Sequence, residues 1–280
     1  MKVLVTGAGG MVGRAVSAHC ASVGDVVSAH DHASLDISDR AATLAVVQTE
    51  KPDVVINCAA WTDVDGCESD PQRAFAANAI GPENLARPCS ELTIPFVTIS
   101  TDYVFDGEKE GFYTQADQPN PQSVYATSKL EGEQRAQAAY EKTIVARTGF
   151  VFGPGGTNFL SRVIELARGG GRLLAINDAY GTPTYAIDLA VRLRELAAKN
   201  VPNIYHVVNG GAGASFEEFV VEALRLTGCE DRQIESVSMA SLNRPAKRPR
   251  NSRLQCLYSG VIGLPPLRSW QTALAEFTQS

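Results

Sequence analysis

A chain of 280 residues, 44% hydrophobic and 20% charged, can bury a full core as one large domain or one and a half. A net charge of −6 leaves no basic stripe to neutralise phosphates, so no nucleic-acid partner is expected. Six cysteines without a C-x-x-C pair, no apolar run of membrane length and a start directly in a strand point away from a disulfide framework, zinc, a membrane or a secretory leader, and toward a reducing cytoplasm.

Lys2 to Thr6 reads as a short apolar strand, followed at once by Gly7-Ala8-Gly9-Gly10-Met11-Val12-Gly13 and a small-residue helix pattern from Met11 to Ala21. Strand, glycine turn and helix together make a dinucleotide-site expectation. Gly7 permits the tight turn, Gly10 lets the backbone approach a pyrophosphate, and Gly13 lets the helix pack on the strand. The helix start at Met11 and Val12 then offers free N–H groups to phosphate.

Strands follow at Val26–Ala29, Val54–Asn57, Phe96–Ile99 and Thr143–Ala146. Helices are expected over Asp39–Thr49 and Ser123–Tyr140, and over Ser69 to about Leu92 with turns or kinks at Pro82 and Pro88. Alternation of this kind predicts an α/β fold, a doubly wound parallel sheet with ligands beyond the carboxyl ends of its strands. The second strand ends at His30-Asp31-His32, where an acid can accept from an adenosine ribose hydroxyl. The third ends at Asn57-Cys58-Ala59-Ala60-Trp61, whose small residues let a cofactor lie close to the backbone, and the fourth at Ser100-Thr101-Asp102. In the last helix, Arg268–Phe277, the spacing of Trp270, Leu274 and Phe277 predicts core packing.

Tyr125 and Lys129 stand one helical turn apart in Tyr125-Ala126-Thr127-Ser128-Lys129, so both groups can act on one spot. A phenol with a pKa near 10 is a poor acid or base at neutral pH, and a neighbouring positive charge brings it toward working pH.

With these motifs in place the chain resembles the dTDP-4-dehydrorhamnose reductase family of the extended short-chain dehydrogenase/reductase superfamily. The likeness runs end to end: VTGAGGMVGR, PDVVINCAAWTDVDGCE, ISTDYVFDG, YATSKLEGE, RTGFVFGPGGTNFL, INDAYGTPTYAIDLA and RPRNSRL. It implies a Rossmann-type domain over residues 1–150 and a mainly sugar-nucleotide-binding region over 151–280, with some segments returning to the first sheet. It implies reduction of the C4 ketone of a dTDP-4-dehydro-6-deoxysugar by NADPH or NADH.

In that reading Tyr125 is the general acid, Lys129 lowers its pKa and holds the nicotinamide ribose, and Thr101 hydrogen-bonds the same carbonyl oxygen. Asp102 would contact a sugar hydroxyl, and Phe150 either meets the sugar or packs in the core. Asn158 either caps a helix or touches the nucleotide, and Arg248, or its neighbours Lys247 and Arg250, meets the diphosphate. The cofactor would contact Gly7, Gly10, Met11, Val12, Gly13, Ala59, Ala60 and Trp61, with Asp36 and Ile37 on the adenine side.

Related 4,6-dehydratases carry an Asp-Glu pair after the threonine; here Asp102 is followed by Tyr103, which leaves a simple reductase or a 4-epimerase. The cofactor choice turns on the second strand's end. Asp31 at the ribose favours NADH, whereas His30 there tolerates a 2′-phosphate; Arg14 either meets that phosphate or is solvated. Some family members form metal-bridged dimers through glutamates, which have no match here, Arg14 standing where one would be an acid. No metal is expected, and the chain is expected as a monomer or homodimer. A non-catalytic cofactor-binding subunit is the reading from a different class.

Overall fold

The structure is a computed structural model that describes residues 1–279. Its first half alternates as β1 (Lys2–Thr6), α1 (Met11–Ser22), β2 (Val26–His30), α2 (Arg40–Glu50) and β3 (Val54–Asn57). The expected helix from Asp39 is delimited by its caps. Asp39 accepts from the N–H groups of Ala41 and Ala42, and Lys51 ends the helix in the left-handed region at φ 46°.

The helical stretch after β3 starts earlier than its sequence suggests and is not simply kinked at its prolines. It comprises α3 (Val64–Ser69), α4 (Pro71–Phe75), a π-helical segment Ala76–Ile80, and α5 (Gly81–Leu92). Pro82 comes just after the π-helical segment, with Ile80 and Gly81 still in helical dihedrals, and Pro88 lies inside α5, so neither proline breaks the helical run.

Next come β4 (Phe96–Thr101), α6 (Val124–Ala139) and β5 (Thr143–Thr148). Both strands run two residues beyond their apolar cores, because the polar ends still pair: Ser100 lies opposite Arg147 and Thr101 opposite Thr148.

The second half contains β6 (Val151–Phe152), α7 (Phe159–Arg168), β7 (Leu173–Ile176), β8 (Tyr180–Gly181), β9 (Thr184–Tyr185) and α8 (Ala186–Lys199). It ends with β10 (Ile204–His206), β11 (Ala214–Ser215), α9 (Phe216–Thr227), β12 (Ile234–Val237) and α10 (Trp270–Phe277).

The main sheet is parallel, in the order β10-β5-β4-β3-β1-β2. Successive side chains leave opposite faces of each strand. Val3, Val5, Ile56 and Ile144 therefore meet Val16 of α1 and Leu189 and Leu193 of α8 on one face. Leu4, Val55 and Phe96 meet Val47 of α2, Leu85 of α5 and Ala136 of α6 on the other. Burial on both faces is what near-continuous apolar strands require. Strand β10 and helix α8 thus serve the first core although they come from the second half of the chain.

A second core gathers Phe152, Val163, Tyr185, Phe219 and the Trp270, Leu274 and Phe277 stripe of α10. In the main sheet the chain leaves β1 to one side for β2 and to the other for β3. That reversal opens a crevice over the carboxyl ends of β1 and β3.

Candidate active site

The crevice begins at the glycine turn. Gly7 adopts φ +67°, and a Cβ there would lie 2.5 Å from Ala59 N; one on Gly13 would lie 2.2 Å from Gly7 O. Both clashes are with backbone, so the turn, the β3 tip and α1 close together only with glycine at these points. Gly10 caps α1 without a side chain, leaving the first-turn N–H groups at Met11 and Val12 open to the crevice.

A cavity of about 720 Å³ follows, bordered by Gly7, Gly10, Asp31, Asp36, Ile37, Ala59, Ala60 and Trp61. The residues present fit a dinucleotide: a bare helix N-terminus for the diphosphate, small residues along one wall, and carboxylates at the far end.

Asp31, not His30, reaches this cavity. The His30 ring is held by Glu50 at 2.8 Å and Ser28 at 3.1 Å. Asp31 Oδ1 accepts from Ser34 N at 2.9 Å and Ser34 Oγ at 3.0 Å, which fixes the turn and holds its carboxyl below the usual range. Asp36 is fixed in the same way by Ser38 N and Oγ at 2.9 and 2.8 Å. Arg14 is neither free nor at this end: its guanidinium donates to Gly9 O and, at 2.8 Å, to Gly155 O.

A second cavity, of about 470 Å³, adjoins the first at Gly10, Ala59 and Ala60. Met11, Val12 and Gly13 line it beside Thr101, Asp102, Tyr125, Lys129, Phe150 and Asn158. Thr101 and Asp102 arrive from the tip of β4. Tyr125 and Lys129 come from the start of α6, where Ser123 accepts from Ala126 N.

Burial raises the Tyr125 pKa, and a hydrogen bond with Thr101 works against the rise. This runs against the lowered phenol pKa expected beside Lys129: with the ring buried, desolvation of the phenolate dominates and favours the protonated phenol. Burial also lowers Lys129 to about 8, opposed by Glu133, while Nζ donates to Ile99 O at 2.8 Å. Burial pushes Asp102 up to about 6, opposed by the nearby Ser252 hydroxyl and by Thr101 Oγ1, which donates to Oδ1 at 3.1 Å. Tyr103, where a dehydratase would carry its second acid, is an edge-on wall for Tyr125, ring centroids 6.2 Å apart.

Phe150 packs against the second core. It sits at φ +48°, its ring covers Gly181 and lies 4.3 Å from Phe216, and it still borders the cavity. Asn158 likewise caps α7, accepting from Ser161 N at 2.9 Å, and faces the cavity.

Arg248 stands apart. Its guanidinium grips Asp65 at 2.6 and 2.8 Å and borders a separate cavity of about 350 Å³, with Arg244, Lys247 and Arg250.

Several contributors carry no sequence motif. Asn78, in the π-helical segment, donates to Trp61 O and Ser128 Oγ. Phe159 and Phe216 wall the catalytic cavity, and Glu133 pairs with Arg147 beneath it. The two phenylalanines had local signals, because Asn158 caps the helix that starts at Phe159 and Ser215 and Glu218 form a capping box before Phe216. Among the described residues no cluster of three or more His, Cys, Asp or Glu side chains could hold a metal ion.

Residues 1–280 match the family described as the RmlD substrate binding domain. A dTDP-4-dehydrorhamnose reductase of Mycobacterium tuberculosis is 40% identical over 280 residues, covering 98% of this chain and 91% of that protein. The crystal structure of a dTDP-4-dehydrorhamnose reductase from Clostridium acetobutylicum superposes with a TM-score of 0.94 at 36% identity, covering 100% of this chain and 99% of the other. That of a dTDP-4-dehydrorhamnose reductase from Bacillus anthracis, in complex with NADP, also gives 0.94, at 31% identity and coverage of 99% and 98%.

Proposed function

The chain belongs to the RmlD substrate binding domain family, and from that premise we propose that it reduces the C4 ketone of dTDP-4-dehydro-L-rhamnose to dTDP-L-rhamnose with NAD(P)H. The observation that carries the reading is the meeting of Thr101, Tyr125 and Lys129 in one cavity with the open N-terminus of α1.

A bound reduced nicotinamide supplies hydride to the ketone carbon. The carbonyl oxygen then needs a proton, and Tyr125, kept protonated by burial, donates it. Thr101 donates a hydrogen bond to the same oxygen as charge develops. Lys129 anchors ribose hydroxyls with its ammonium. Asp102 accepts from a sugar hydroxyl, and no second acid follows it to expel water.

Beyond Phe159 and Phe216 lies a groove of about 470 Å³ bordered by Leu166, Leu174, Ile176, Arg172 and Arg244. Its apolar floor suits the nucleobase. Arg244 makes no hydrogen bond or ion pair among the described residues and borders two adjoining cavities, so it replaces Arg248 as the diphosphate ligand.

Asp31 at the adenosine end favours NADH, because a 2′-phosphate would meet its charge. Titrating the protein with NADH and NADPH tests that preference, and tighter NADPH binding would reverse it. The six free cysteines suit a reducing cytoplasm.

The test of the activity is loss of reduced-nicotinamide absorbance when dTDP-4-dehydro-L-rhamnose is supplied. If cofactor binds and absorbance stays constant, this substrate is wrong. A panel of other dTDP-4-ketosugars then separates a reductase of another deoxysugar from a non-catalytic subunit.

A further inference from the structure

Tyr125, Lys129 and Glu133 recur at every fourth position of α6 and share one buried face. The first two line the catalytic cavity. Glu133 turns beneath it, where its carboxylate accepts from Arg147 Nε at 2.9 Å, from Arg147 Nη2 at 2.6 Å and from Ser100 Oγ. Ser100 and Arg147 are direct partners across β4 and β5, and the next pair in register is Thr101 and Thr148. One carboxylate therefore ties the helix to two strands one residue below Thr101. The residue before Ser100, Ile99, takes the Lys129 ammonium on its carbonyl.

A buried ion pair is a weak source of stability, since desolvation offsets most of the attraction. What this one supplies is direction. Three donors from two strands leave the carboxylate one orientation, and the Arg147 guanidinium lies 5.3 Å over the Phe105 ring. Nearby, burial and the Arg147 charge push His206 down to about 3, so its imidazole adds no charge beside the Glu133–Arg147 pair.

We propose that Glu133 is a positioning residue for the reduction: braced by Arg147 and Ser100, it fixes the face of α6 that carries Tyr125 and Lys129 against the tip of β4 that carries Thr101. The inference rests on the reductase reading above. Its charge has a second effect. Lys129 faces Glu133 on its own helix, Cys58 at the end of β3 and the Ile99 carbonyl of β4. Burial pushes the Cys58 thiol up to about 12, so it stays neutral and Glu133 is the anion that opposes deprotonation of Lys129.

The experiment compares Glu133→Gln and Glu133→Asp with wild type in the full chain. It reads NADH binding, kcat and KM across pH, and the Lys129 titration by NMR of 13C-labelled lysine. For Glu133→Gln, kcat should fall about tenfold or more with KM within about threefold. The Lys129 midpoint should drop by about one pH unit, so that activity is lost at lower pH on the alkaline side.

Glu133→Asp keeps the charge but is one methylene too short to reach both partners. It should lose kcat while the Lys129 midpoint stays near wild type. A folded Glu133→Gln with kcat within about twofold of wild type overturns the proposal. So does a fall matched by an equal loss of folded protein. Should Glu133→Gln fail to fold, Glu133→Asp decides, and wild-type kcat there overturns it. If wild type itself does not reduce the ketosugar, the reductase reading fails separately. The Lys129 titration, which needs no substrate, then still decides the contact: an unmoved midpoint in Glu133→Gln overturns it.

Discussion

Asn78 and Trp61 hold each other by the backbone of one and the amide of the other: Asn78 Oδ1 accepts from Trp61 N at 2.8 Å, and Nδ2 donates to Trp61 O at 3.0 Å. The same Nδ2 reaches Ser128 Oγ at 3.1 Å on α6. Asn78 belongs to the π-helical segment, the kind of local widening that proteins often keep at functional sites. One buried amide thus fixes the β3 tip, which borders the cofactor cavity, to the helix that carries Tyr125 and Lys129.

Replacing it should therefore injure stability and cofactor binding together. Asn78→Ala removes three hydrogen bonds and leaves the Trp61 amide groups without their partner. A loss of about 2 kcal/mol is expected in urea unfolding. NAD(P)H should also bind several-fold more weakly in a fluorescence titration. Wild-type cofactor affinity in a destabilised variant would show that Asn78 serves the fold alone.

Tyr125→Phe tests the proton donor with little change in shape. Turnover should drop by roughly 10²–10⁴-fold, the usual contribution of a positioned acid. NAD(P)H should bind as in wild type, because the ring and its edge-on contact with Tyr103 remain. Near-normal turnover would remove Tyr125 from the role of acid.

Asp102 carries a stability penalty whose sign follows from its environment. Burial raises its folded pKa from 3.8 to about 6, so the folded state binds the proton more tightly than the unfolded chain does. Between about pH 4 and 6 the native state holds more protons, and stability falls as pH rises through that window. Above it the penalty is full, on the order of 2–3 kcal/mol. Asp102→Asn should accordingly be more stable than wild type at pH 8, with the gain shrinking toward pH 4, while its KM for the dTDP-sugar rises. Equal stability at pH 8, measured by urea unfolding, would mean that the carboxylate is better solvated than its burial implies.

The contrast between Asp102 and Glu133 shows what could be read from the chain and what could not. Thr101, Asp102, Tyr125 and Lys129 follow strand or helix positions that periodicity and turn residues define locally. The same holds for Gly7 and Gly13, where the need for glycine is steric and close at hand. The core strands were legible because burial on both faces writes an unbroken apolar run. The polar strand ends Ser100 and Arg147 were not, since their place in the ladder depends on register between strands 47 residues apart in the chain. The spacing puts Glu133 on the face of Tyr125 and Lys129, but only the strands packed under that face make it a brace, unlike Glu131, which pairs with Arg135 on the exposed side of the same helix. The partner of Arg248 was not legible either: a guanidinium that suits phosphate equally suits Asp65, and Asp65 lies 183 residues away.

That pairing makes the two arginines separable by experiment. Arg248→Ala leaves Asp65 without the partner that holds its carboxyl below the usual range, so its main effect should be on stability. The loss should be about 1–2 kcal/mol, because the pair is partly exposed and solvent screens it. It should be present at neutral pH and vanish in acid, where Asp65 is protonated in either protein. Arg244→Ala breaks no ion pair and should leave stability unchanged. It should raise KM for the dTDP-sugar by about tenfold or more with kcat preserved, since a diphosphate contact remote from the ketone strengthens binding equally in ground and transition states. Adding dTDP alone should protect wild type and Arg248→Ala from thermal unfolding more than Arg244→Ala. If Arg248→Ala is the variant that loses dTDP protection, the guanidinium leaves Asp65 when substrate binds, and Arg248 regains the diphosphate.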